Sequence, residues 1–234
     1  MTKKKKIVVF TGSGVSAESG ISTFRGGNGL WANHRIEDVC TPEALIYNRQ
    51  EVIDFYNTRR KELLETKPNA AHYAITELEK HFDVQVITQN IDDLHERAGS
   101  KNITHLHGEL RKLRSSKDET ATIPFEDWEQ KMETKHADGS LLRPFIVFFG
   151  ESVPEFDKAM KIAQQADILL VIGTSLAVYP AASLVHCVPN SVPIYLVDPG
   201  EPNISGITNP LHHIKMNASE GVPKLVEMLI KEIE

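Results

Sequence analysis

The sequence predicts an α/β protein: a doubly wound parallel sheet with a second, smaller, mostly helical lobe beside it. Three observations carry that expectation. Six short runs, Ile7–Phe10, Val84–Thr88, Ile103–His107, Phe145–Phe149, Ile168–Ile172 and Val192–Val197, are mostly continuous apolar stretches. Strands covered on both faces have that pattern, whereas half-solvated strands alternate. Helical patterns lie between them at Asn69–Lys80, Ile91–Ala98, Glu155–Gln165, Pro180–Cys187 and Gly221–Glu234, and repeated strand–helix alternation winds a parallel sheet. Finally, residues 26–67 and 111–142 break the alternation; they read as insertions that fold together as the small lobe. The expected division is therefore 1–25, 80–112 and 143–234 for the large lobe, and 26–79 with 113–142 for the small one.

In chain order, Lys3 to Lys6 directly precede the first apolar run and suit the solvated start of a buried strand. The run Thr11-Gly12-Ser13-Gly14-Val15-Ser16-Ala17-Glu18-Ser19-Gly20 leaves that strand. Its glycines allow a tight turn and close approach of backbone to a diphosphate at a helix N-terminus. The third glycine of the dehydrogenase spacing is missing, and no strand ending in an acid follows about 20 residues later. Taken alone, the run also suits an ordinary strand–helix turn. Thr88-Gln89-Asn90-Ile91-Asp92-Asp93-Leu94-His95 leaves a second strand, at the carboxyl edge where open sheets bind ligands; taken alone, it also suits an N-capped helix start. In His105-Leu106-His107-Gly108 two histidines share a strand face. Two ligands are too few for a metal site, so one histidine as general base is the sharper reading. Gly173-Thr174-Ser175 through Ala182 leaves a further strand.

Composition excludes some classes. The chain has 234 residues, 41% of them hydrophobic, and a net charge of −6, so nothing supports nucleic-acid binding. No apolar run is long enough for a membrane span, and the basic start leads into four apolar residues rather than a signal-peptide core. Two cysteines, Cys40 and Cys187, make neither a disulfide framework nor a four-cysteine metal site. A reducing, cytoplasmic location and a monomeric state are the expectations.

The run Gly12–Arg25 resembles the cofactor signature of the sirtuin family. So do Thr88–Asp92, His107-Gly108, Arg143-Pro144 with Phe149-Gly150-Glu151, and Gly173–Ala182. The five motifs stand in the family's order. The resemblance implies a Rossmann-type NAD-binding lobe and a reaction in which NAD is consumed. An acyl group leaves a protein lysine, nicotinamide is released, and O-acyl-ADP-ribose forms. It implies His107 and Asn90 as catalytic residues. Cofactor contacts would come from Gly12, Ser13, Gly14, Ser16, Phe24, Arg25, Gln89, Asn90, Asp92, Gly173, Thr174, Ser175 and Ala218. Val147, Phe149, Gly150 and Glu151 would meet the acylated peptide, the last two on a strand edge that pairs with its backbone. A closing loop over 26–33 would exclude water.

Three departures stand out. Most sirtuins hold zinc with two Cys-x-x-Cys pairs, but 111–143 contains no cysteine; the corresponding positions are Ser115, Asp118, Lys135 and Asp138, so no zinc is expected. An ion pair from Lys135 to Asp118 or Asp138, with packing by Ile123, Phe125, Trp128 and Met132, is the expected replacement. Ser13 stands where alanine is usual. Ile194-Tyr195 stands where the family often has an asparagine on the adenosine ribose. Tyr56 and Arg59, three apart on a helical pattern, share a face. They match the Tyr-x-x-Arg of sirtuins that prefer acidic acyl groups such as succinyl and malonyl. Remaining functional alternatives are a protein ADP-ribosyltransferase using the same pocket and a non-catalytic NAD or ADP-ribose binding module.

Overall fold

The computed structural model describes residues 4–23 and 34–233. Nine strands occur among them: β1 (Lys6–Thr11), β2 (Asp83–Thr88), β3 (Ile103–His105), β4 (Gly108–Ser115), β5 (Thr122–Pro124), β6 (Leu142–Ile146), β7 (Ile168–Ile172), β8 (Ile194–Val197) and β9 (Leu211–Ile214). Six form a sheet in the order β3-β2-β1-β7-β8-β9, with every pairing parallel. The chain winds outward from β1 through β2 to β3, then crosses to β7 and winds the other way. The β1/β7 junction is thus the switch point, where the two halves of such a sheet part and leave a crevice.

Alternation along the central strands sends side chains to opposite layers. Ile7 and Val9 of β1 and Leu170 of β7 face one core with α4 (Ala70–Leu78) and α7 (Ala218–Lys231), whose Ile75, Leu78, Val222 and Leu225 pack there. Val8, Phe10, Leu169 and Val171 face the other core. That side is covered by α6 (Phe156–Ala163) and a 3-10 stretch, Ala181–His186. The 3-10 form replaces the α-helix expected at Pro180–Cys187.

The smaller unit carries a short antiparallel sheet beside its helices. Helices α1 (Ile36–Val39), α2 (Pro42–Tyr47) and α3 (Arg49–Glu65) lie beside an antiparallel sheet, β5-β4-β6. The run expected as the strand Phe145–Phe149 forms β6 instead, starting earlier and pairing with β4 rather than with the parallel sheet. The expected lobe boundaries after 112 and 142 fall inside β4 and β6. A third core of Val52, Tyr56, Leu63, Leu110, Ile146 and Phe148 joins helices to sheet. α5 (Leu94–Ala98) closes the β2–β3 crossover.

Arg60 ties these parts together. Its side chain is fully buried. Nε donates to the Leu110 carbonyl, Nη1 to Asn57 Oδ1 and the Trp128 carbonyl, and Nη2 to Gln130 Oε1. The guanidinium lies 5.1 Å from the Phe125 ring centroid. Burial lowers its pKa to about 10, so it stays charged at neutral pH.

The positions matching the zinc cysteines do not fit a metal. Ser115 Oγ donates to Asp138 Oδ2 at 2.6 Å and accepts the amides of Lys117 and Asp118. Asp118 turns to the Thr120 hydroxyl and amide. Lys135 pairs through its backbone with Leu141. The expected lysine–aspartate ion pair is not formed among the described residues; a hydroxyl–carboxylate clasp joins the two loops in its place. No group of three or more His, Cys, Asp or Glu is placed for a metal among the described residues.

Replacing Arg60 with Met should destabilise the protein by about 2–4 kcal/mol, because several buried acceptors lose their donors at once. Urea unfolding of both proteins at equal slope measures it. A change under about 0.5 kcal/mol, the usual effect at a surface position, would show that the network is not a structural tie.

Candidate active site

The β1 and β7 exits are held together by backbone. Gly12 donates to the Ile172 carbonyl at 3.0 Å, and Gly14 to the Gly173 carbonyl at 2.9 Å. A Cβ on Gly12 would sit 2.7 Å from the Gly173 carbonyl oxygen, and one on Gly14 2.6 Å from Gly173 Cα. Gly173 has φ +60, and a Cβ there would meet the Val15 nitrogen at 2.3 Å. Only glycine fits at all three positions. Two short 3-10 turns, Ser13–Val15 and Ala17–Ser19, follow β1 instead of a long helix.

This backbone forms one wall of a cavity of about 650 Å³. Gly12, Ser13, Gly14, Gly173, Thr174 and Ser175 line it together. Gln89, Asn90 and Asp92 enter from the β2 exit, and His107 from beyond β3. The gap between β1 and β7 thus brings four separate sequence motifs onto one wall.

Behind the wall runs a buried polar network. Ser16 Oγ donates to Asp92 Oδ2 at 3.0 Å and accepts from Asn90 Nδ2 at 3.2 Å. The Leu94 amide donates to Asp92 Oδ1 at 3.1 Å. Asn90 Oδ1 is buried without a partner. Burial raises the Asp92 carboxyl to about 6, although its hydrogen bonds pull the other way. Ser16 is itself fully buried and lies behind the cavity wall rather than on it.

His107 sits where the parallel sheet ends and the antiparallel one begins. Gly108, at φ +84, makes that corner, and a Cβ there would lie 2.1 Å from the Phe145 carbonyl oxygen. The His107 ring nitrogen Nδ1 is 3.0 Å from the Gln89 carbonyl oxygen, an acceptor, so Nδ1 carries the proton. Nε2 is then the basic nitrogen. Burial lowers the His107 pKa, with that hydrogen bond opposing it; the ring is neutral at pH 7. The other histidine of the motif, His105, contacts the Asn90 carbonyl and Glu96 at 2.9 and 2.7 Å. Burial disfavours its charge, but Glu96, the Asn90 carbonyl and Glu109 act together in the other direction and the pKa is raised.

Helix α3 supplies the opposite wall: Phe55, Tyr56, Arg59, Glu62 and Leu63 line the cavity. The Tyr56 hydroxyl donates to Cys40 Sγ at 3.3 Å, and its ring stacks on Phe148. Arg59 Nη2 donates to Glu62 Oε1 at 2.9 Å, while Nε and Nη1 are buried without partners. Val147, Phe149, Gly150 and Glu151 also line the cavity. Gly150 and Glu151 lie in a turn past β6 rather than on a strand edge. The Glu151 carboxylate takes Arg143 at 2.6 and 3.0 Å and accepts the Phe148 amide at 2.8 Å.

Of the remaining expected residues, Ala218 lines the cavity. Phe24, Arg25 and the loop 26–33 lie outside the described residues. Tyr195 sits mid-strand, stacked on His212, and is not on the wall. Asp198 and Asn217 also line the cavity, and the sequence did not single them out. β8 pairs Val197 with Ile172, so the next residue, Asp198, leaves the sheet beside Gly173 and lines the cavity. An acid ending a parallel strand was the available signal. Burial raises its pKa.

Comparison with known proteins gives concordant results. The model of the Sir2 family matches residues 12–180. An "NAD-dependent protein deacylase" of Bacteroides thetaiotaomicron is 52% identical over 231 residues, covering 97% of this chain and 98% of that protein. A solved complex of a mutant Sir2 homologue with ADP-ribose is 39% identical with TM-score 0.90, covering 98% of this chain and 94% of the other. A Sir2–p53 peptide–NAD+ structure is 31% identical with TM-score 0.78, covering 99% and 95%.

The raised pKa of Asp92 has a stability consequence. Its folded value of about 6 lies above the usual 3.8, so ionisation above that range costs the fold. Below about pH 4 both states are neutral and the penalty vanishes. Asp92→Asn should therefore stabilise the unliganded protein by about 1–3 kcal/mol at pH 7.5, with the gain fading as pH falls through 6. Denaturant unfolding at pH 7.5 and 4.5 tests this; a destabilised or pH-independent variant refutes it.

Proposed function

This chain belongs to the Sir2 family, and from that premise we propose how its residues carry out NAD-dependent protein deacylation. The protein is an NAD-dependent protein deacylase that uses NAD as co-substrate. When bound, NAD supplies a ribose carbon bearing a cationic nicotinamide leaving group. The acyl group of a lysine side chain passes to the ADP-ribose portion, free lysine and nicotinamide being the other products.

The observation that carries the assignment of roles is the convergence of the glycine contact, the Asn90–Asp92 network and His107 on one cavity. The residues present fit the co-substrate. Gly12, Ser13 and Gly14 with Gly173, Thr174 and Ser175 offer backbone at close range, as diphosphate binding requires. The unpartnered Asn90 Oδ1 is a ready acceptor for a carboxamide N–H, and Asp92 is a counter-charge for a cationic ring. Gln89 is assigned to the ribose, and Ala218 to the adenosine end. His107 is the general base, its neutral ring held by the Gln89 carbonyl. Phe24 and Arg25 keep their assignment to the cofactor side. Val147, Phe149, Gly150 and Glu151 are assigned to the peptide, with Glu151 acting by holding the turn. A monomer in a reducing, cytoplasmic setting belongs to the same reading, in keeping with the two free thiols.

His107→Ala should lower kcat/KM for deacylation by about 10²–10⁴-fold, the usual loss of a general base, and should retain NAD binding in calorimetry. Labelled NAD supplied with an acylated peptide follows the products. Near-normal turnover, or label attached to protein instead of to the released acyl group, defeats the assignment.

The finer part of the reading concerns the acyl group. We propose a preference for acidic acyl groups, succinyl or malonyl, over acetyl. Its support is Arg59, which borders the cavity with two buried nitrogens lacking partners. A guanidinium takes a carboxylate through two parallel hydrogen bonds. Each charged hydrogen bond contributes about 1.5–3 kcal/mol, less the desolvation of both ions. The expected preference in kcat/KM is about tenfold or more on that basis. Arg59→Met should remove it, read as the succinyl-to-acetyl ratio on matched peptides. A wild type that favours acetyl-lysine, or a ratio unchanged by the substitution, refutes this part alone.

A further inference from the structure

Helix α3 does not end its cavity face at Arg59. Tyr56, Arg59 and Glu62 are spaced by three, so they form one stripe, and all three line the same cavity. The stripe therefore reads hydroxyl, guanidinium, carboxylate from one turn to the next. Arg59 and Glu62 form an ion pair at 2.9 Å, with side-chain exposures of 15% and 48%. The cation is the enclosed member and the anion reaches water.

The bonding pattern within the pair is informative. A guanidinium presents two edges to a carboxylate, Nε with Nη2 and Nη1 with Nη2. Both edges run through Nη2, the nitrogen that Glu62 holds. The open nitrogens, Nε and Nη1, belong to different edges. Nη2 carries two hydrogens, one for each edge, so Glu62, held on one of them, leaves the other edge whole. An acidic acyl group that takes that edge must share the guanidinium with Glu62 and approach a carboxylate of its own sign.

We propose that Glu62 is a specificity-determining residue, a built-in counterion that competes with an acidic acyl group for Arg59. This rests on the acidic-acyl reading above and adds its regulation by the chain's own carboxylate. In the unliganded cavity Glu62 offsets the cost of an enclosed guanidinium, which is high for an unpaired cation. On substrate binding the half-exposed carboxylate swings to solvent, where its hydration is regained. The strength of acid preference is then set by the difference between two carboxylates for one arginine, rather than by Arg59 alone. Phe55 adds to the holding of the cation, its ring centroid lying 5.6 Å from the guanidinium carbon, so Arg59 keeps its place when Glu62 leaves.

The experiment measures kcat/KM on matched succinyl-lysine and acetyl-lysine peptides. It compares wild type, Glu62→Gln, Glu62→Ala, Arg59→Met and the Arg59→Met/Glu62→Gln double variant, with thermal melts to show that each is folded. Removing the competing charge should raise the succinyl-to-acetyl ratio by about 2–5-fold in both Glu62 variants, the range expected for a half-exposed charge pair. The rise should vanish in the Arg59→Met background, since the effect acts through that residue. A fall in the ratio with Glu62→Gln would show that the carboxylate positions Arg59 instead of competing for it, and would overturn the proposal. So would a rise that persists without Arg59. Failure of the underlying reading looks different: Arg59→Met itself would then leave the ratio unchanged, and the Glu62 proposal would fall with it.

Discussion

Gly14 donates its amide to the Gly173 carbonyl across the gap between β1 and β7, and the site is organised around that contact. The two strands are neighbours in the parallel sheet, yet their connections depart in opposite directions. Where such strands part, a crevice opens. Here the glycine backbones bridge the mouth of the crevice at distances that no side chain would tolerate. One consequence is positional: Ser13, Thr174 and Ser175 arrive at the same wall from segments about 160 residues apart in sequence. Another is chemical. With no Cβ in the way, a ligand can approach the main chain closely along this wall, while the amides of Gly12, Gly14 and Gly173 themselves hold the wall together by donating to the Ile172, Gly173 and Val197 carbonyls.

The opposite wall depends on helix α3 having two working faces. Tyr56, Arg59 and Glu62 look into the cavity, whereas Asn57 and Arg60 look into the small sheet. Adjacent arginines thus serve different ends. Arg60 is spent on carbonyls of Leu110 and Trp128, which fixes the helix against β4 and the loop after β5. Arg59 keeps two nitrogens unpartnered. The first makes the second useful, because a guanidinium recognises a carboxylate only when its fork is held in place. The Ser115–Asp138 clasp acts on the same unit from its far side, linking the loops on either side of the small sheet.

Much of this was legible in the sequence, and each feature that was not has a physical reason. β1, β2, β7 and β8 are central strands buried on both faces, so their apolar runs are continuous. The edge strand β9, Leu-His-His-Ile, is half exposed and carries no such run. β4 and β5 alternate or are too short to show a pattern. β6 has an apolar run, but nothing in that run says which sheet it joins; the register depends on Gly108, distant in sequence. At the site, residues immediately following central strands were readable because strand ends mark the ligand edge. Asp198 escaped because it lies one residue beyond the apolar run that marks β8, with no motif around it. Glu62 and Cys40 escaped for a different reason: their roles depend on which face of a helix or loop meets the cavity, which local spacing alone does not fix.

Electrostatics shows why the site does not maximise stability. Asp92 is buried and raised to about 6. His107 is lowered by burial, and His95 behind it is lowered much further, its neighbour His72 adding to the effect of burial. Near neutral pH those two histidines are therefore uncharged, while Asp92 is ionised with His105, whose charge is shared with Glu96, as the one cationic group acting on it. Its hydrogen bonds from Ser16 and Leu94 offset part of the desolvation but do not cancel it, as the direction of the shift requires. An isosteric amide would keep the shape and lose the penalty. A carboxylate in that position becomes advantageous only when positive charge enters the cavity, since an opposite charge within a few ångströms favours the ionised form. The fold therefore carries a cost in the empty state that a cationic ligand would relieve, and the same burial that creates the cost keeps His107 neutral and able to accept a proton.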